Sequence, residues 1–544
     1  MLMASGLLVG LLLGVGWALV ALLGAPLWFP MAFAIGFVLL QYAVSPWFIR
    51  WLITAQELQR SGDGYLGGHP LGDLVARRSR DAGVPLPRLG IIDDGTPNAF
   101  AFGRTPSSAH VWVSRGLLER LDEDELDAVI SHELGHVKHW DMVIMTVAAV
   151  VPMALYMLFV MARRFDRPEA RAVALGSYVA YLVGQLAVLA VSRARELAAD
   201  DWSRRCTGHG DALASALVKI AYGIGQVDAD RAGQNEGEGE KKKGFMSRLR
   251  GQGDEGRMGA AQVLGIMSSR DGRQLHALLA DNAEDSAAAV AGLRWDRTNP
   301  WARVREMLST HPLVATRLEM LGRPGPGAST RWAGVAEAAV GTPDEVRRAR
   351  SRFGVELVVA LAPWAVMIPA FAAWYLIEEA SLVPWALLVG GILLFAKQRM
   401  RYPFGYRPVE RITSLLERLD AGPVAGLPVQ VRGRIMGRGM PGYVLSPDMV
   451  VSDDSGFVPL IYTNPIPFAA EFFGLFRFNN FLGREVVTRG WYFRDAGGPR
   501  IELRDVSLEE SAGRVRGWDW VVRHGFALTV FAIGVLAVLA TTTA

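Results

Sequence analysis

The first 49 residues of the chain contain no Asp, Glu, Lys or Arg, which strongly favours a location inside a membrane. Pro26 and Pro30 divide this segment into two apolar stretches. Each stretch is long enough to cross the hydrocarbon core of a bilayer, which takes ~20 residues of helix. A cleavable signal peptide would instead begin with basic residues and contain a single short apolar segment. Residues 1–60 are therefore predicted to form a transmembrane hairpin.

Five further stretches without charged residues raise the predicted number of membrane spans to seven. They are Met142–Ala162, Ala172–Ser192, Leu357–Ile377, Ala380–Ala396 and Gly525–Ala544. Hydrophobic residues make up 51% of the 544 residues and charged residues only 20%, so a disordered chain and a purely soluble enzyme are excluded. The soluble segments between the spans all lie on one side of the membrane if every hairpin crosses it twice.

The charged residues and the cysteine content indicate which side that is. Cys206 is the only cysteine, so no disulfide can form within the chain, as is usual for cytoplasmic proteins. The net charge of +3 comes without a clustered basic stripe, so nucleic acid is not an expected partner. Arginines flank the predicted spans on the soluble side, which favours a cytoplasmic location for the soluble segments and the N-terminus. The loop at residues 163–171 disagrees, because it carries four Arg and would face outward.

The motif His132-Glu133-Leu134-Gly135-His136 precedes the third predicted span. A helix is predicted to begin near Asp122, because Asp122 and Glu125 form a capping-box pattern. Two histidines at i and i+4 share one helix face and can reach one tetrahedral ion, and Glu133 can take a proton from the water that the ion activates. The alternative is a pair of surface histidines. Since no stop signal follows, this helix is predicted to run directly into the third span.

A third protein ligand has to come from elsewhere in the chain. His139 lies on the same helix face but ~5 Å further along the axis, so an interfacial or supporting role is expected for it. Glu196, at the end of the fourth span, is the better candidate, because a membrane hairpin returns it to the side of the motif. Asp200 shares a helix face with Glu196 and could accept a hydrogen bond from a ligand imidazole. Pairing of both acids with Arg193 and Arg195 is the alternative.

Several separated motifs, taken together, resemble one known family. The His132 motif, two apolar spans and then Ser192-Arg193-x-x-Glu196-x-x-x-Asp200 are similar to the HtpX family of membrane-bound zinc metallopeptidases, which is related to the CAAX prenyl endopeptidases. Asn98-Ala99-Phe100-Ala101 resembles the active-site edge strand of that family. Ser309-Thr310-His311-Pro312, with Arg317 behind it, resembles its late Ser-x-His-Pro element. The resemblance covers about residues 1–325, and the rest of the chain lies outside it.

The resemblance implies a role for each of these residues. His132, His136 and Glu196 would hold one Zn²⁺, and Asp200 would support a ligand from behind. Glu133 would be the general base, which later protonates the leaving amine. His311 and Arg317 would stabilise the oxyanion, with a structural role as the alternative for Arg317. Residues Asn98 to Ala101 would bind the substrate backbone by strand addition. Cys206 is expected to be a small packed residue, because this ligand set is complete without it.

Short alternating runs separated by Gly, Pro and Asp predict a soluble β-rich domain at residues 399–515. A small barrel of the OB or SH3-like kind is expected, and its partner is unknown. A phenylalanine-rich stretch in this domain is either a local core or a loop that dips into the bilayer. Its members are Phe468, Phe472, Phe473, Phe476, Phe478 and Phe481.

The predicted fold class is thus a multi-span α-helical membrane protein with an α+β zincin-type metallopeptidase domain and a small C-terminal β-barrel-like domain. Besides the first hairpin and the β-rich domain, the predicted divisions are a metallopeptidase domain with spans three and four at 61–226, a mobile polar loop at 227–262, the rest of the metallopeptidase domain at 263–350, a transmembrane hairpin at 351–398 and a last span at 516–544.

The predicted function is hydrolysis of peptide bonds in membrane or membrane-proximal proteins, with quality control as the role that the resemblance implies. The expected location is the inner membrane of the cell, with polypeptide substrates and the lipid bilayer as partners. Two alternatives stay open: a processing protease of the CAAX type, and a catalytically idle scaffold that recruits partners through the β-rich domain.

Overall fold

The computed structural model describes residues 53–165, 167–220, 293–329, 331–438, 447–466, 469–495, 498–509 and 514–543, with scattered positions between 36 and 51. The predicted loop at 227–262 and most of the two spans predicted in residues 1–60 lie outside the described residues.

The first soluble part contains a small mixed sheet and three short to medium helices. Its elements are β1 (Gln56–Glu57), β2 (Arg60–Ser61), β3 (Gly64–Tyr65), α1 (Pro70–Ala82), β4 (Arg88–Ile92), β5 (Ala99–Phe102), β6 (His110–Ser114), α2 (Arg115–Arg120) and α3 (Glu123–Lys138). The strand order is β1-β4-β6-β5, with β4 parallel and β5 antiparallel to β6. Strand β5 therefore lies at an edge of the sheet, and α3 packs against it.

Helix α3 begins as the sequence predicts and ends earlier. The Asp122 carboxylate accepts a hydrogen bond from the Glu125 backbone N–H, and the Glu125 carboxylate accepts one from the Asp122 backbone N–H, so the capping box is confirmed. The prediction that this helix runs straight into the third span is wrong. Trp140 adopts a left-handed conformation with φ 60°, so α3 stops at Lys138 and a new helix begins at Asp141.

Five of the seven predicted spans are confirmed as helices long and apolar enough to cross a membrane. They are α4 (Asp141–Ala162), α5 (Pro168–Thr207), α9 (Pro343–Ile377), α10 (Leu382–Arg401) and α13 (Asp519–Thr543). Three short helices lie between α5 and α9: α6 (Pro300–Met307), α7 (Val314–Leu321) and α8 (Arg331–Ala338). Val147, Val183 and Val358 on these helices are 61 to 67% exposed, as side chains that face lipid should be. Helices α4 and α5 form an antiparallel hairpin, and α10 packs on α9 and α13.

The second soluble part consists mainly of one sheet between α10 and α13. Its elements are β7 (Arg407–Val409), α11 (Ile412–Leu416), β8 (Leu427–Arg438), β9 (Met449–Asp453), β10 (Gly456–Ile461), α12 (Ala469–Phe476), β11 (Glu485–Asp495), β12 (Gly498–Leu508) and β13 (Arg514–Arg516). The strand order is β10-β9-β8-β11-β12-β13, and β7 pairs with β8. Strand β10 also pairs in parallel with β12 through Leu460 and Ile501.

The phenylalanine-rich stretch contributes to the core of this sheet. Phe473, Phe478 and Phe481 are at most 6% exposed and belong to its main hydrophobic cluster. Phe472 differs from them, because 59% of its surface is exposed. Phe473, Phe478 and Phe481 therefore form a local core and Phe472 faces outward, whereas Phe468 and the side chain of Phe476 lie outside the described residues.

The second soluble part contacts the residues just before α6 through backbone carbonyls and aromatic rings. The Trp295 indole donates to the Ala421 carbonyl over 2.9 Å, and the Asn299 amide donates to the Leu419 carbonyl over 2.7 Å. The guanidinium of the fully buried Arg494 lies 4.9 Å from the centre of the Trp295 ring. The β-rich part is therefore docked directly onto the segment that leads to His311.

Candidate metal centre

Three predicted ligand side chains meet where the C-terminal half of α3 packs against α5. The Nε2 atoms of His132 and His136 lie 3.2 Å apart. The carboxylate oxygens of Glu196 lie 3.7 Å from each of them. All three residues are buried, with at most 9% of their surface exposed. Two imidazole nitrogens and one carboxylate oxygen are the donor set of a catalytic zinc site that keeps a position open, so these residues fit one such ion.

The close packing of α5 on α3 makes this convergence possible. A side chain at Gly135 would place its Cβ 3.2 Å from the Ala199 Cα, closer than ordinary van der Waals contact. The Ser203 hydroxyl also donates to the Ala128 carbonyl over 2.6 Å and ties the two helices together one turn further on. Because α4 and α5 cross back as a hairpin, the sixty residues between His136 and Glu196 shrink to a direct contact.

Each histidine is oriented by a carboxylate on its outer nitrogen. The Asp200 Oδ1 atom lies 2.9 Å from His132 Nδ1. The Asp141 Oδ2 atom lies 2.6 Å from His136 Nδ1. A proton held on Nδ1 leaves Nε2 with a free lone pair, so both rings point their acceptor nitrogens at the same place.

Asp141 is not among the site residues predicted from the sequence. Its signal is a charged residue at the first position of an apolar span, where an acid is costly unless it has a partner. The left-handed turn at Trp140 brings the Asp141 carboxylate next to His136, which a continuous helix would not do. Arg195 then neutralises this acid: its guanidinium lies 3.3 Å from Asp141 and 3.2 Å from Glu196.

Arg317 and His311 also reach the acids around this cluster. The Arg317 guanidinium donates from Nε and Nη2 to the two oxygens of Asp200, over 2.8 and 2.5 Å, and only 1% of the residue is exposed. The His311 Nδ1 atom lies 3.3 Å from Glu196 Oε2. The fork of Arg317 thus spans a buried carboxylate, a geometry that favours the structural alternative left open by the sequence.

Glu133 is buried beside the three donors and next to the edge strand. Only 2% of its surface is exposed, and burial raises its pKa to about 7. The backbone N–H of Ala101 on β5 donates to its carboxylate and opposes that shift. A carboxyl group with such a pKa can both accept and return a proton near neutral pH.

The edge strand pairs with β6 through alternate residues. Asn98 accepts from the Ser114 N–H over 2.9 Å and donates its own N–H to the Ser114 hydroxyl. In an antiparallel pair the residues that bond to the partner strand alternate with those that face away from it. The backbone N–H and C=O groups of Ala99 and Ala101 therefore point away from β6. Those of Asn98 and Phe100 point toward it.

Two further residues weighed at the sequence level lie outside this cluster. His139 caps the end of α3 and is not among the side chains that could share an ion in the described part of the chain. Cys206 is half-buried near the end of α5, where its Sγ atom lies 3.7 Å from the Arg78 guanidinium.

Comparisons with known proteins agree with this arrangement. The model of peptidase family M48 matches residues 70–324. The protease HtpX homolog of Methanothermobacter thermautotrophicus is 40% identical over 210 residues, which are 38% of this chain and 79% of that protein. The protease HtpX homolog of Pyrococcus furiosus is 35% identical over 230 residues, or 40% of this chain and 76% of that protein.

Among solved structures, the crystal structure of S. mikatae Ste24p matches 39% of this chain and 55% of that chain, with 17% identity and a TM-score of 0.31. The M48 match ends at residue 324, before the second sheet, whose first strand begins at Arg407. On the strength of the HtpX relatives, the chain belongs to the HtpX members of peptidase family M48, and it is a membrane metallopeptidase.

Proposed function

We propose that this peptidase hydrolyses peptide bonds of membrane or membrane-proximal polypeptides at the cluster of His132, His136 and Glu196. The observation that carries the proposal is the convergence of these donors beside Glu133, where α3 contacts α4 and α5, two helices apolar enough to cross a membrane. The three residues would hold one zinc ion, and the bound ion would supply the Lewis acidity that activates water and polarises the scissile carbonyl.

The residues around the three donors have separate roles in proton transfer, charge stabilisation and ligand orientation. Glu133 takes a proton from the attacking water and later delivers it to the leaving amine, for which its raised pKa is suited. His311, whose Nδ1 atom lies 3.3 Å from Glu196, stabilises the charge that develops on the carbonyl oxygen. Arg317 acts through Asp200, which keeps the His132 ring in its orientation.

Metal removal tests this function directly. Detergent-purified full-length protein should cleave an unfolded model polypeptide, lose that activity on dialysis against a chelator and regain it when zinc is restored. Activity that survives complete removal of the metal, measured by elemental analysis of the same sample, would contradict the proposal. A substrate panel that adds a prenylated CAAX peptide separates general proteolysis from CAAX-type processing.

We propose that substrates bind as an added strand on β5. The outward N–H of Ala99 would be one of the donors that register the scissile bond against the metal. Ala99→Pro removes this donor and leaves the bonds to β6 intact, so turnover of a long peptide should fall roughly 10-fold, the effect of losing ~1.4 kcal/mol of backbone hydrogen bonding.

The matched control for that variant is Ala99→Ser, which keeps the N–H and should retain activity. Because Ala99 is fully buried, both variants are expected to melt below the parent protein, so turnover is compared at a temperature at which all three are folded. Unchanged turnover in Ala99→Pro would argue against strand addition at this edge.

We infer that the soluble parts face the cytoplasm across the inner membrane. The support is the set of arginines at the soluble ends of the spans, including Arg399 and Arg401 at the end of α10. In a Cys206→Ser background, Ser107→Cys should react with an impermeant thiol reagent only after lysis, and Thr542→Cys should react in intact cells. The reverse pattern would overturn the orientation.

For the part at residues 399–515 we propose a small barrel of the OB kind. The support is the pairing of β8 to β12, in which the parallel contact of β10 with β12 joins the two ends of a five-stranded series. An experimental structure with β10 and β12 apart would reject the closure. We also propose the division of the chain into the domains predicted from the sequence. A role in protein quality control is a further proposal.

A further inference from the structure

A small cavity lies where the β-rich part meets the last membrane helix. Its volume is about 180 Å³, and Arg504, Asp505, Arg514, Arg516, Trp518 and Trp520 line it. Strand β13 pairs with β12 and is followed after Gly517 and Trp518 by α13. The turn is tight, since a Cβ at Gly517 would fall 1.9 Å from the Leu503 carbonyl oxygen. The cavity is thus fixed to the start of a membrane span.

The charges that line the cavity are mostly positive. Asp505, the one acid among the lining residues, is 2.9 Å from the Arg514 guanidinium and 3.5 Å from that of Arg489. Within the described part of the chain, neither Arg504 nor Arg516 has a carboxylate partner. The cavity therefore retains an excess of positive charge that an anion can neutralise.

Arg504 is held in place without an acid. Its guanidinium lies 5.0 Å from the centre of the Tyr406 ring and 5.9 Å from that of Phe404, which are cation–π distances. A guanidinium stacked on aromatic rings keeps its N–H donors at its edge, where they can bind the oxygens of a phosphate in a forked arrangement. The cavity thus has a preorganised donor set for a phosphoryl group.

The surroundings place this cavity at the level of lipid headgroups. Trp518 is 40% exposed beside it, and tryptophans favour the boundary between headgroups and acyl chains. From Val521 onward α13 presents exposed apolar side chains, and Phe526 is 61% exposed. Arg399, at the end of the neighbouring α10, lies over the Phe404 ring at 4.8 Å and adds a further positive charge at this level.

We propose that this cavity binds the phosphate of an anionic phospholipid headgroup, with Arg504 and Arg516 as its principal donors. The acyl chains would lie along the exposed apolar face of α13. A bound lipid would fix the β-rich part to the surface of the leaflet on which the metal cluster also opens. The proposal does not depend on the peptidase function. Its source of phosphate is the membrane rather than a soluble metabolite, because the tryptophans and the apolar helix face adjoin the cavity.

Native mass spectrometry of the full-length protein tests the site. The protein in detergent is titrated with short-chain phosphatidylglycerol and, separately, phosphatidylcholine, and an apparent Kd is obtained for each. Arg516→Gln should weaken phosphatidylglycerol binding roughly 5-fold, the equivalent of ~1 kcal/mol for one arginine at a membrane surface. Adding Arg504→Gln should weaken it by roughly 25-fold in total if the two residues act independently. Phosphatidylcholine binding should not change with either substitution.

The control is Arg432→Gln, which removes the same charge from an exposed position on β8 outside the cavity lining. It should leave both lipid affinities unchanged. Equal loss in this control, or an unchanged affinity in the double variant, would overturn the proposal. Displacement of phosphatidylglycerol by inorganic phosphate with no preference between the two lipids would assign the cavity to a soluble phosphate and would overturn it as well. If the Arg504 variant melts early, the exposed Arg516→Gln variant carries the test alone.

Discussion

Glu133→Gln is expected to abolish peptide hydrolysis while leaving the metal content of the protein unchanged. The amide keeps the shape of the carboxyl group but cannot accept a proton, and general bases contribute roughly 10² to 10⁴-fold to such rates. Glu133 is not one of the three donors that converge, so its replacement should not open the cluster. The measurement is turnover of an unfolded model polypeptide together with zinc stoichiometry on the same preparation.

Glu123→Gln is the matched control for this variant. It makes the same chemical change on the same helix, but at an exposed position in the first turn. Activity within about 2-fold of the parent protein is expected for the control, since exposed charges near a helix start have small effects. Zinc loss in Glu133→Gln comparable to that of a ligand variant would refute the separation of base from ligand.

The parts of the site that the sequence predicts are those with fixed spacing. His132 and His136 share a face because a helix repeats every 3.6 residues, and a capped helix start at Asp122 sets that helix in place. Glu196 follows from hairpin geometry, since two adjacent spans must return the chain to the same side. In each case a local periodicity or a membrane crossing carries the long-range information.

The parts that the sequence does not predict depend on local backbone breaks and on contacts between distant segments. No Gly or Pro in the sequence marks the left-handed conformation of Trp140. Without this break between α3 and α4, Asp141 would not reach His136. The contact of Trp295 with the Ala421 carbonyl joins residues 126 positions apart, and no repeat or motif marks it. Such contacts are chosen by tertiary packing, which single-sequence periodicity does not contain.

The contact between Trp295 and the β-rich part supports the segment that carries His311. Leu419 of the β-rich part packs in one hydrophobic cluster with Trp295 and with Leu313, two residues after His311. The segment that carries His311 is therefore supported by Leu419, a residue beyond the M48 family match, which ends at residue 324. This explains how an extra soluble part can belong to the catalytic unit without contributing a ligand.

Glu196→Ala is expected to remove the metal itself and, with it, all activity. Glu196 supplies the carboxylate oxygens nearest to both histidine Nε2 atoms, at 3.7 Å, and two imidazoles alone hold zinc poorly. Asp141→Asn provides a graded comparison, because it leaves three donors in place and weakens the support of His136 together with the ion pair to Arg195. Loss of such an outer hydrogen bond typically costs roughly 10 to 100-fold in metal affinity.

The order of zinc affinities should therefore be parent, then Asp141→Asn, then Glu196→Ala, measured by competition with a chromogenic chelator. Circular dichroism should show the same helix content in all three, because the variants alter polar side chains of the metal cluster and not the apolar faces that hold the spans together. A Glu196→Ala protein that binds zinc as tightly as the parent would exclude Glu196 as a ligand. Asp141→Asn binding zinc as weakly as Glu196→Ala would instead mean that Asp141 does more than orient His136, since support through a ring nitrogen costs less than the loss of a ligand atom.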